Sequence, residues 1–405
     1  MTKKNDIIVL GAGYAGLMTA LRIAGKLKVK QASVTLINAK DSFVERPRLH
    51  EQATTDVLIE KPIAEMIKGR HIQFVKGWVE KIVPNENCIH VKTAVSQQTL
   101  HYDILVNALG SQVARTTIKG VDQFAYTLDP YGRLTTEDLK KHLTQFSKRP
   151  FRAVVVGGGA TGVEMAAQLK SIYPNCTAII ITQNKVGDFK DAKVQQQIGQ
   201  SLTEQGVEII ENGRVTEVVA DGVILPTSKI DADLVIWAGG FVASPLAKEA
   251  GLKVNAQQQT LVDPQLRSIS HPNIYAAGDA AFPVEAPGVP IRMALFAALV
   301  SGAQAADNIV ALIKGKEQQP LSFAWYGQGV ALGTKDAVGF MTYPLDQRSG
   351  PILRRKTAVY LRNFFVWYLK CTLELERRIP GYFFWTGKKR YMQQQKRLIQ
   401  VQHQS

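Results

Sequence analysis

The chain has 405 residues, with 49 Lys and Arg against 34 Asp and Glu, a formal charge of +15. Its 45% hydrophobic and 20% charged content is that of a globular protein with room for two or three cored domains. The three cysteines, Cys88, Cys176 and Cys371, lie far apart and form no C-x-x-C pair, which argues against a dithiol centre or structural zinc and fits a reducing compartment.

In chain order, DIIVLGAGYAG (6–16) sets an apolar strand (7–10) before glycines 11, 13 and 16 and a helix from residue 17. That is the spacing of a dinucleotide fingerprint: one glycine for the tight turn, one to admit a pyrophosphate, one for close helix–strand packing. Gly11, Ala12, Gly13, Tyr14, Ala15 and Gly16 are the expected cradle. The apolar run within residues 1–20 is broken by these glycines and lacks a cleavage pattern, so it does not read as a signal peptide. The next strand, SVTLIN (33–38), ends in Asn38, where an acidic side chain commonly takes the ribose hydroxyls. The stretch ERPRLHE (45–51) is read as a loop, in which Arg46 and Arg48 either neutralise a pyrophosphate or face solvent. Residues 74–82 and 88–93 alternate about a turn at 84–87 and predict an antiparallel hairpin. YDILVNALG (102–110) predicts a buried strand ending in a small-residue turn at Ala108 and Gly110.

Residues 120–150 read as a crossover, with Thr136 capping a helix over 137–146. A second fingerprint follows the apolar strand 151–156, with Gly157, Gly159 and Gly162 in GGGATGVE. Two fingerprints imply two dinucleotides, most simply a bound flavin and a diffusing nicotinamide; a duplication with one inactive site is the alternative. The strand 178–182 ends in Thr182 and Gln183 instead of a carboxylate, so nothing there repels a 2′-phosphate. Lys185 and Lys190 stand ready to pair with one, and NADPH is expected to be tolerated. DLVIWAGG (233–240), with Gly239 in its turn, repeats the pattern of 103–110. NIYAAGDAA (273–281) runs a strand into Gly278 and Asp279, a carboxylate suited to a polyol hydroxyl. Pro290 is the expected start of a helix whose N-terminus faces the electron-rich end of a flavin ring. Residues 293–306, the most apolar stretch, fall short of a membrane span and read as a buried helix. No internal repeat beyond the duplicated βαβ unit is visible.

The motifs at 11–16, 103–110, 157–164, 234–240 and 273–281, with ALGTKDAVGF (331–340), resemble the two-dinucleotide-domain flavoproteins, and among them the type II NADH dehydrogenases. The resemblance implies FAD at the first fingerprint, with Asn38 near the ribose and Val79 near the adenine; from the charge of its loop, Arg48 is taken as a contact of the same cofactor. Ala108 and Gly110 would line that site, and Gly278 and Asp279 would hold the ribityl chain. It implies NAD(P)H at the second, held by Gly157, Gly159, Gly162, Thr182 and Gly239, with Glu164 close to nicotinamide and flavin. Glu164 is then a positioning or proton-relaying group, or simply an acid favoured by the helix dipole. The family's A-Q-x-A-x-Q-Q quinone motif is replaced here by LFAALVS (295–301). Leu295, Phe296, Val300 and Ser301 would make a more apolar acceptor site that has lost its glutamines.

From 352 to 398, twelve Lys and Arg stand against Glu374 and Glu376, interleaved with Phe364, Phe365, Trp367, Tyr368 and the run 382–385. This composition suits a helix lying on an anionic membrane surface, with a kink at Pro380 and Gly381. A homodimer or core-packing interface and a nucleic-acid surface are the alternatives, the last without any recognised module.

The expected fold is α/β: two Rossmann-like domains, for FAD (1–118 and 245–325) and NAD(P)H (119–244), plus a basic, aromatic C-terminal helical segment for membrane association or an interface (326–405). The expected function is FAD-dependent NAD(P)H dehydrogenation, passing electrons to a quinone without pumping protons. The expected place is peripheral, on the cytoplasmic side of the cell membrane. A soluble flavin reductase serving an electron-transfer protein, or a non-catalytic redox sensor of the apoptosis-inducing-factor type, are the other readings.

Overall fold

The computed structural model describes residues 4–114, 118–187, 189, 191–283, 292–343, 347–388 and 390. Two five-stranded parallel sheets dominate it. The first runs Ile274–Ala276, Ile104–Asn107, Asn5–Leu10, Ala32–Asn38, Ile72–Lys76. The second runs Ala125–Thr127, Leu234–Trp237, Phe151–Val156, Cys176–Ile181, Glu208–Ile210. Strands such as Ile7–Leu10 and Val154–Val156 are buried on both faces, which is why they read as unbroken apolar runs.

The internal repeat is deeper than the βαβ unit seen in the sequence. Four strands follow one order in both sheets, while the fifth comes last along the chain in the first sheet (Ile274–Ala276) and first in the second (Ala125–Thr127); each half carries a three-stranded antiparallel meander after the third strand counted from its glycine turn. In the first half it is Trp78–Val83, Cys88–Lys92 and Gln97–His101; in the second, Glu217–Val219, Gly222–Ile224 and Lys229–Asp231. The short polar strands of the second meander give no periodic signal. The chain crosses between halves twice, and the crossings pair with each other as the ribbon Ser111–Val113 against Phe241–Ala243.

Several local expectations change. The run 74–82 splits at Gly77: its first residues join the parallel sheet, and only those from Trp78 enter the hairpin. The stretch 45–51 is not a loop but a 3-10 turn, Arg46–Arg48, leading into the helix Leu49–Thr54. Thr135, not Thr136, caps the helix Thr136–Leu143, in a reciprocal capping box with Asp138. The long apolar helix starts at Leu295 and runs to Ile313; Pro290 lies outside the described residues. By length and composition this helix could cross a membrane, but two-thirds of its most apolar window is buried against the first sheet and the helix Tyr14–Lys26.

After it come an antiparallel sheet, Tyr326–Ala331, Ala337–Thr342 and Arg348–Arg354, and the helix Arg355–Arg378. Gly329 and Gly339 are cross-strand partners on that sheet, and the helix lies over them. A Cβ on Gly329 would stand 3.4 Å from the Arg362 Cβ, so the bare backbone is what lets Arg362 pass. The helix ends at Arg378 instead of kinking, and residues 379–388 fold back into the body: Phe383 and Trp385 are core, with the Trp385 indole donating to the Ser322 carbonyl at 2.7 Å. Glu376, fully buried, accepts from the amides of Gly381 and Phe383 and from the Arg22 guanidinium at 3.1 Å. Arg22 also grips Asp307 at 2.8 Å.

Candidate active site

A cleft of about 540 Å³ runs from the first glycine turn to the C-terminal helix. Its near end is backbone, lined by Gly11, Ala12, Gly13, Tyr14 and Ala15. Gly11 sits at φ +91°, and a Cβ there would lie 2.4 Å from the Ala108 carbonyl oxygen, so only glycine serves. Gly13 faces open space, and the helix behind it starts without a side-chain cap, leaving its first amides for an anion. Gly16 does not line the cleft; it lets helix and strand close up.

Asn38 lines the cleft while its side chain shapes the turn, accepting from the Ala12 amide (3.0 Å) and donating to the Lys40 carbonyl (2.8 Å). Ala108, Gly110, Gly278 and Asp279 line it too. Asp279 accepts from the Ser111 hydroxyl at 2.7 Å; burial pushes its carboxyl up, against the pull of Ser111 and Arg46. Leu128, Pro130 and Tyr131, from the second half, cover this end. The Tyr14 hydroxyl is buried on the cleft with no hydrogen-bond partner among the described residues. A bare glycine turn, uncapped amides, a buried carboxylate for hydroxyls and an unspent phenol fit the diphosphate and polyol of FAD.

Two expected members of this set fall elsewhere. Arg48 turns away to Glu51 (2.8 Å) and Glu45 (3.6 Å), and it is Arg46 that lines the cleft. Val79 is packed with Ile8, Leu10 and Ile37 in the core behind the sheet and does not line it.

The second turn repeats the first in detail. Gly157 is at φ +123° with a would-be Cβ 2.4 Å from the Ala238 carbonyl oxygen, and Gly159, like Gly13, faces open space. Gly162 plays the packing part of Gly16. Gly239 is exposed, as are Gln183 to Lys185. Thr182 is buried against Gly158, its side chain spent on the turn. Lys185 is already paired with Glu211, whose other oxygen accepts from the Val186 amide (2.9 Å). Lys190 lies outside the described residues. The cation expected for a 2′-phosphate is thus neutralised by a carboxylate that no sequence motif marks.

The helix Ala160–Ile172 carries Glu164 into the cleft. Glu164 accepts from the Ala331 amide at 3.0 Å and from Arg362 at 3.3 Å, and its second oxygen is 3.7 Å from His50 Nδ1. Burial raises its carboxyl above the ordinary range; Arg362 and the Ala331 amide oppose that. Burial, helped by Arg362, holds the His50 imidazole down at about 3, so it is neutral at physiological pH. Neither His50 nor Arg362 was singled out from sequence. The only sequence hint for Arg362 was its place in a basic stretch that reads as surface.

Leu295 and Phe296 line the cleft; Val300 and Ser301, one turn on, do not. Val300 is core, and the Ser301 hydroxyl accepts from the Gly278 amide at 2.8 Å and donates to the Ala297 carbonyl. Beyond Phe296 the wall becomes apolar: Leu361, Phe365, Val366 and Leu369 of the C-terminal helix. Opposite stands Tyr326, stacked on Phe296 at 6.1 Å. Gln328, on the same strand, donates to the Tyr326 hydroxyl (3.3 Å) and brings an amide to the cleft. None of the three cysteines lines the cleft; all are free, and Cys88 and Cys176 are buried.

The family model for pyridine nucleotide-disulphide oxidoreductases matches residues 5–306. The chain is 30% identical to the demethylphylloquinone reductase NdbB of Synechocystis, over 91% of this chain and 94% of that one. It is 25% identical to the type II NADH:quinone oxidoreductase of Staphylococcus saprophyticus, over 83% and 89%. In fold it is similar to the sulfide:quinone oxidoreductase of Aquifex aeolicus, with TM-score 0.77, 18% identity and coverage of 93% and 96%. The chain therefore belongs to the pyridine nucleotide-disulphide oxidoreductases, among which its curated relatives include type II NADH:quinone oxidoreductases.

Proposed function

We infer that this chain is an FAD-dependent NADH:quinone oxidoreductase that does not pump protons. One observation carries the reading: a single cleft joins a dinucleotide cradle, a buried carboxylate at the edge of the second cradle and an apolar wall, with no thiol along it. FAD, when bound, supplies the two-electron exchange between nicotinamide and acceptor. The chain does the rest. The turn at 11–16 and Arg46 hold the diphosphate, Asn38 shapes the ribose end, and Asp279 takes the ribityl hydroxyls. The open turn at 157–162 admits NADH from solvent, and the Glu211 carboxylate beside Lys185 disfavours a 2′-phosphate. Leu361, Phe365, Val366 and Leu369 exclude water and receive a lipophilic quinone, which Tyr326 and Gln328 anchor by its carbonyl oxygens. The nearness of a sulfide:quinone oxidoreductase in fold does not extend to its chemistry, since no cysteine reaches the cleft to carry sulfur.

We propose a peripheral place on the cytoplasmic face of the membrane, and the C-terminal helix supports the membrane contact itself. Tyr360, Phe364, Trp367 and Tyr368 fall on one face at helical spacing and are exposed, Tyr360 by 74% and Trp367 by 55%. Phe384 and Ile379 extend the patch, with exposed Arg354, Arg355 and Lys356 at the helix start. The charge is smaller than the composition suggests. Arg362, Lys370, Arg377, Arg378 and Lys388 are spent on ion pairs within the fold. Apolar insertion therefore outweighs electrostatic attraction, and binding to liposomes should survive moderate salt.

The test is anaerobic. NADH should bleach the flavin absorbance and a short-chain quinone should restore it. Bleaching that no quinone reverses moves the acceptor to another class, and no bleaching sinks the reading. Sedimentation with anionic liposomes tests the membrane face; a dimer that shields the patch instead would appear in light scattering without lipid.

A further inference from the structure

A second cleft, also of about 540 Å³, lies on the far side of Glu164. Its lining mixes charged and polar side chains, among them Arg48, Glu51, Asp336 and Lys370, with apolar ones such as Val359 and Trp367. A cleft of this size with several charged groups holds water. His50 and Arg362 line both clefts and form the wall between them.

The wall has a definite order. Glu51 Oε1 is 3.9 Å from His50 Nε2, and His50 Nδ1 is 3.7 Å from Glu164 Oε2. Arg362 sits across both carboxylates, 3.6 Å from Glu51 Oε1 and 3.3 Å from Glu164 Oε1. His50 is 3% exposed, and its Nε2 has no hydrogen-bond partner among the described residues. Leaving a ring nitrogen buried and unpaired is costly, and packing alone would be served better by an apolar side chain. The charged groups facing the imidazole are Glu51 from its own helix, Arg48 from the preceding turn, Glu164 from the helix Ala160–Ile172 and Arg362 from the C-terminal helix. Two carboxylates flank one imidazole across gaps that a small side-chain movement or one bridging water closes, which is the order of a proton chain. Arg48 and Arg362 lie beside it, and Arg362 pulls the Glu164 carboxyl down against the burial that raises it.

The reaction needs such a chain. NADH, one proton and a quinone give NAD⁺ and a quinol, so one proton from solvent must enter the apolar cleft in every turnover. We propose that the second cleft is the proton inlet, and that His50 relays protons from Glu51, on the water-filled side, to Glu164, on the quinone side. This rests on the NADH:quinone reading above. The Oε1–H bond of protonated Glu51 breaks as the His50 Nε2–H bond forms, while the Nδ1–H bond breaks and an O–H bond forms at Glu164 Oε2; solvent in the second cleft reprotonates Glu51. No electrons move. Exchange of the tautomer resets the ring, and Glu164 passes its proton on to the quinone oxygen. Because the imidazole is neutral at rest, it accepts a proton only in concert with losing one, so no buried cation accumulates. His50 acts through Glu164 and is a positioning and relay residue.

The test separates the two halves of turnover. Reduction of the flavin by NADH transfers a hydride and needs no solvent proton, so H50F and H50Q should bleach within about twofold of wild type. Quinone-driven recovery should slow about tenfold or more in both, with a displaced pH profile. Imidazole added to H50A should restore recovery through the second cleft, in proportion to its neutral fraction. A readout without turnover is stability. Below the unfolded-state value of 6.5 only the unfolded chain takes up the His50 proton, so stability falls as pH drops. Between there and roughly pH 5 the wild-type urea midpoint should fall relative to that of H50Q. Recovery at wild-type rate in both variants overturns the relay, as does slowing that imidazole fails to rescue, which would leave His50 a packing residue. A wild-type protein that NADH does not bleach would instead fail the underlying reading, before any variant is made.

Discussion

The glycine turns at 11–16 and 157–162 solve the same local problem in the same way, yet their surroundings differ. Both first glycines have positive φ and would drive a Cβ into a carbonyl 2.4 Å away, and both second glycines face open space. Around the first turn, residues 11, 12, 14, 15 and 16 are buried, and segments from the other half and from the C-terminal sheet close the cleft over it. Around the second, Ala160, Gln183 to Lys185, Gly239 and Gly240 are exposed. An enclosed cradle suits a ligand that stays, and an open one a ligand that exchanges each turnover. Whether a site is resident or diffusive is therefore decided by what later chain folds over it.

What closes the first half is the weld of helices Tyr14–Lys26 and Leu295–Ile313 to the C-terminal tail, and breaking it should have the largest effect. Asp307 takes Arg22, Lys26 and Lys388 at 2.6 to 2.8 Å. Burial alone would raise its carboxyl, but these cations hold it far below the usual range. Asp307→Asn should cost about 3–5 kcal/mol in urea unfolding, because Arg22 is left buried with half its partners. A carboxyl depressed in the folded state contributes stability above its unfolded value and loses it as pH falls toward the folded one. The gap between wild type and D307N should accordingly narrow in acid below that unfolded value of 3.8.

The second half meets the C-terminal helix more loosely, through Arg362 and Glu164 at 3.3 Å, with Glu51 of the first half 3.6 Å from the same guanidinium. Arg362→Gln should cost only about 1–3 kcal/mol. It should also raise the Glu164 carboxyl further, because burial then goes unopposed by the guanidinium, and shift the pH profile of quinone-driven recovery upward. Equal losses in D307N and R362Q would say that the two halves are held alike.

A matched pair of glycine variants tests the comparison directly. Gly11→Ala and Gly157→Ala meet the same strain, on the order of 1–2 kcal/mol from φ alone, and more from the carbonyl contact. G11A should lose flavin, read as the absorbance of the purified protein, by about tenfold or more in occupancy. G157A should keep its flavin and show a raised KM for NADH. Flavin loss in both would make the second cradle part of the resident site.

The two turns, the first two strands of each half and the carboxylate Asp279 were legible because their causes are local. Parallel strands buried on both faces must be apolar, and a turn at positive φ under a carbonyl must be glycine. The Glu164 network was not, because its members lie at 50, 51, 164 and 362 and meet only once a helix crosses a sheet at Gly329 and Gly339. Val300 and Ser301 were misplaced for a related reason. The helix from Leu295 reaches the cleft with its first turn alone, so residues one turn deeper belong to the core however well they match a motif. The tail was misjudged in charge because composition counts Lys370 or Lys388 without its partner, and those partners, Glu45 and Asp307, are remote in sequence.

The smallest effect concerns the open cradle's choice of nucleotide. Without a carboxylate at Thr182, the sequence left NADPH admissible, with Lys185 to receive it. In the fold, Glu211 follows the neighbouring strand Glu208–Ile210 and brings a carboxylate to the place the second strand lacks one. Its pairing with Lys185 holds it below the ordinary carboxylate range, so it is charged at physiological pH. Glu211→Gln removes that charge and frees Lys185 together, and both changes favour a 2′-phosphate. The pair is solvent-exposed and screened, so the shift should be about 1 kcal/mol, roughly fivefold in the ratio of kcat/KM for NADPH over NADH. It should fade with added salt and leave flavin content untouched. An unchanged ratio would place the ribose away from Glu211. A shift accompanied by flavin loss would mean that the open cradle and the closed one are energetically coupled.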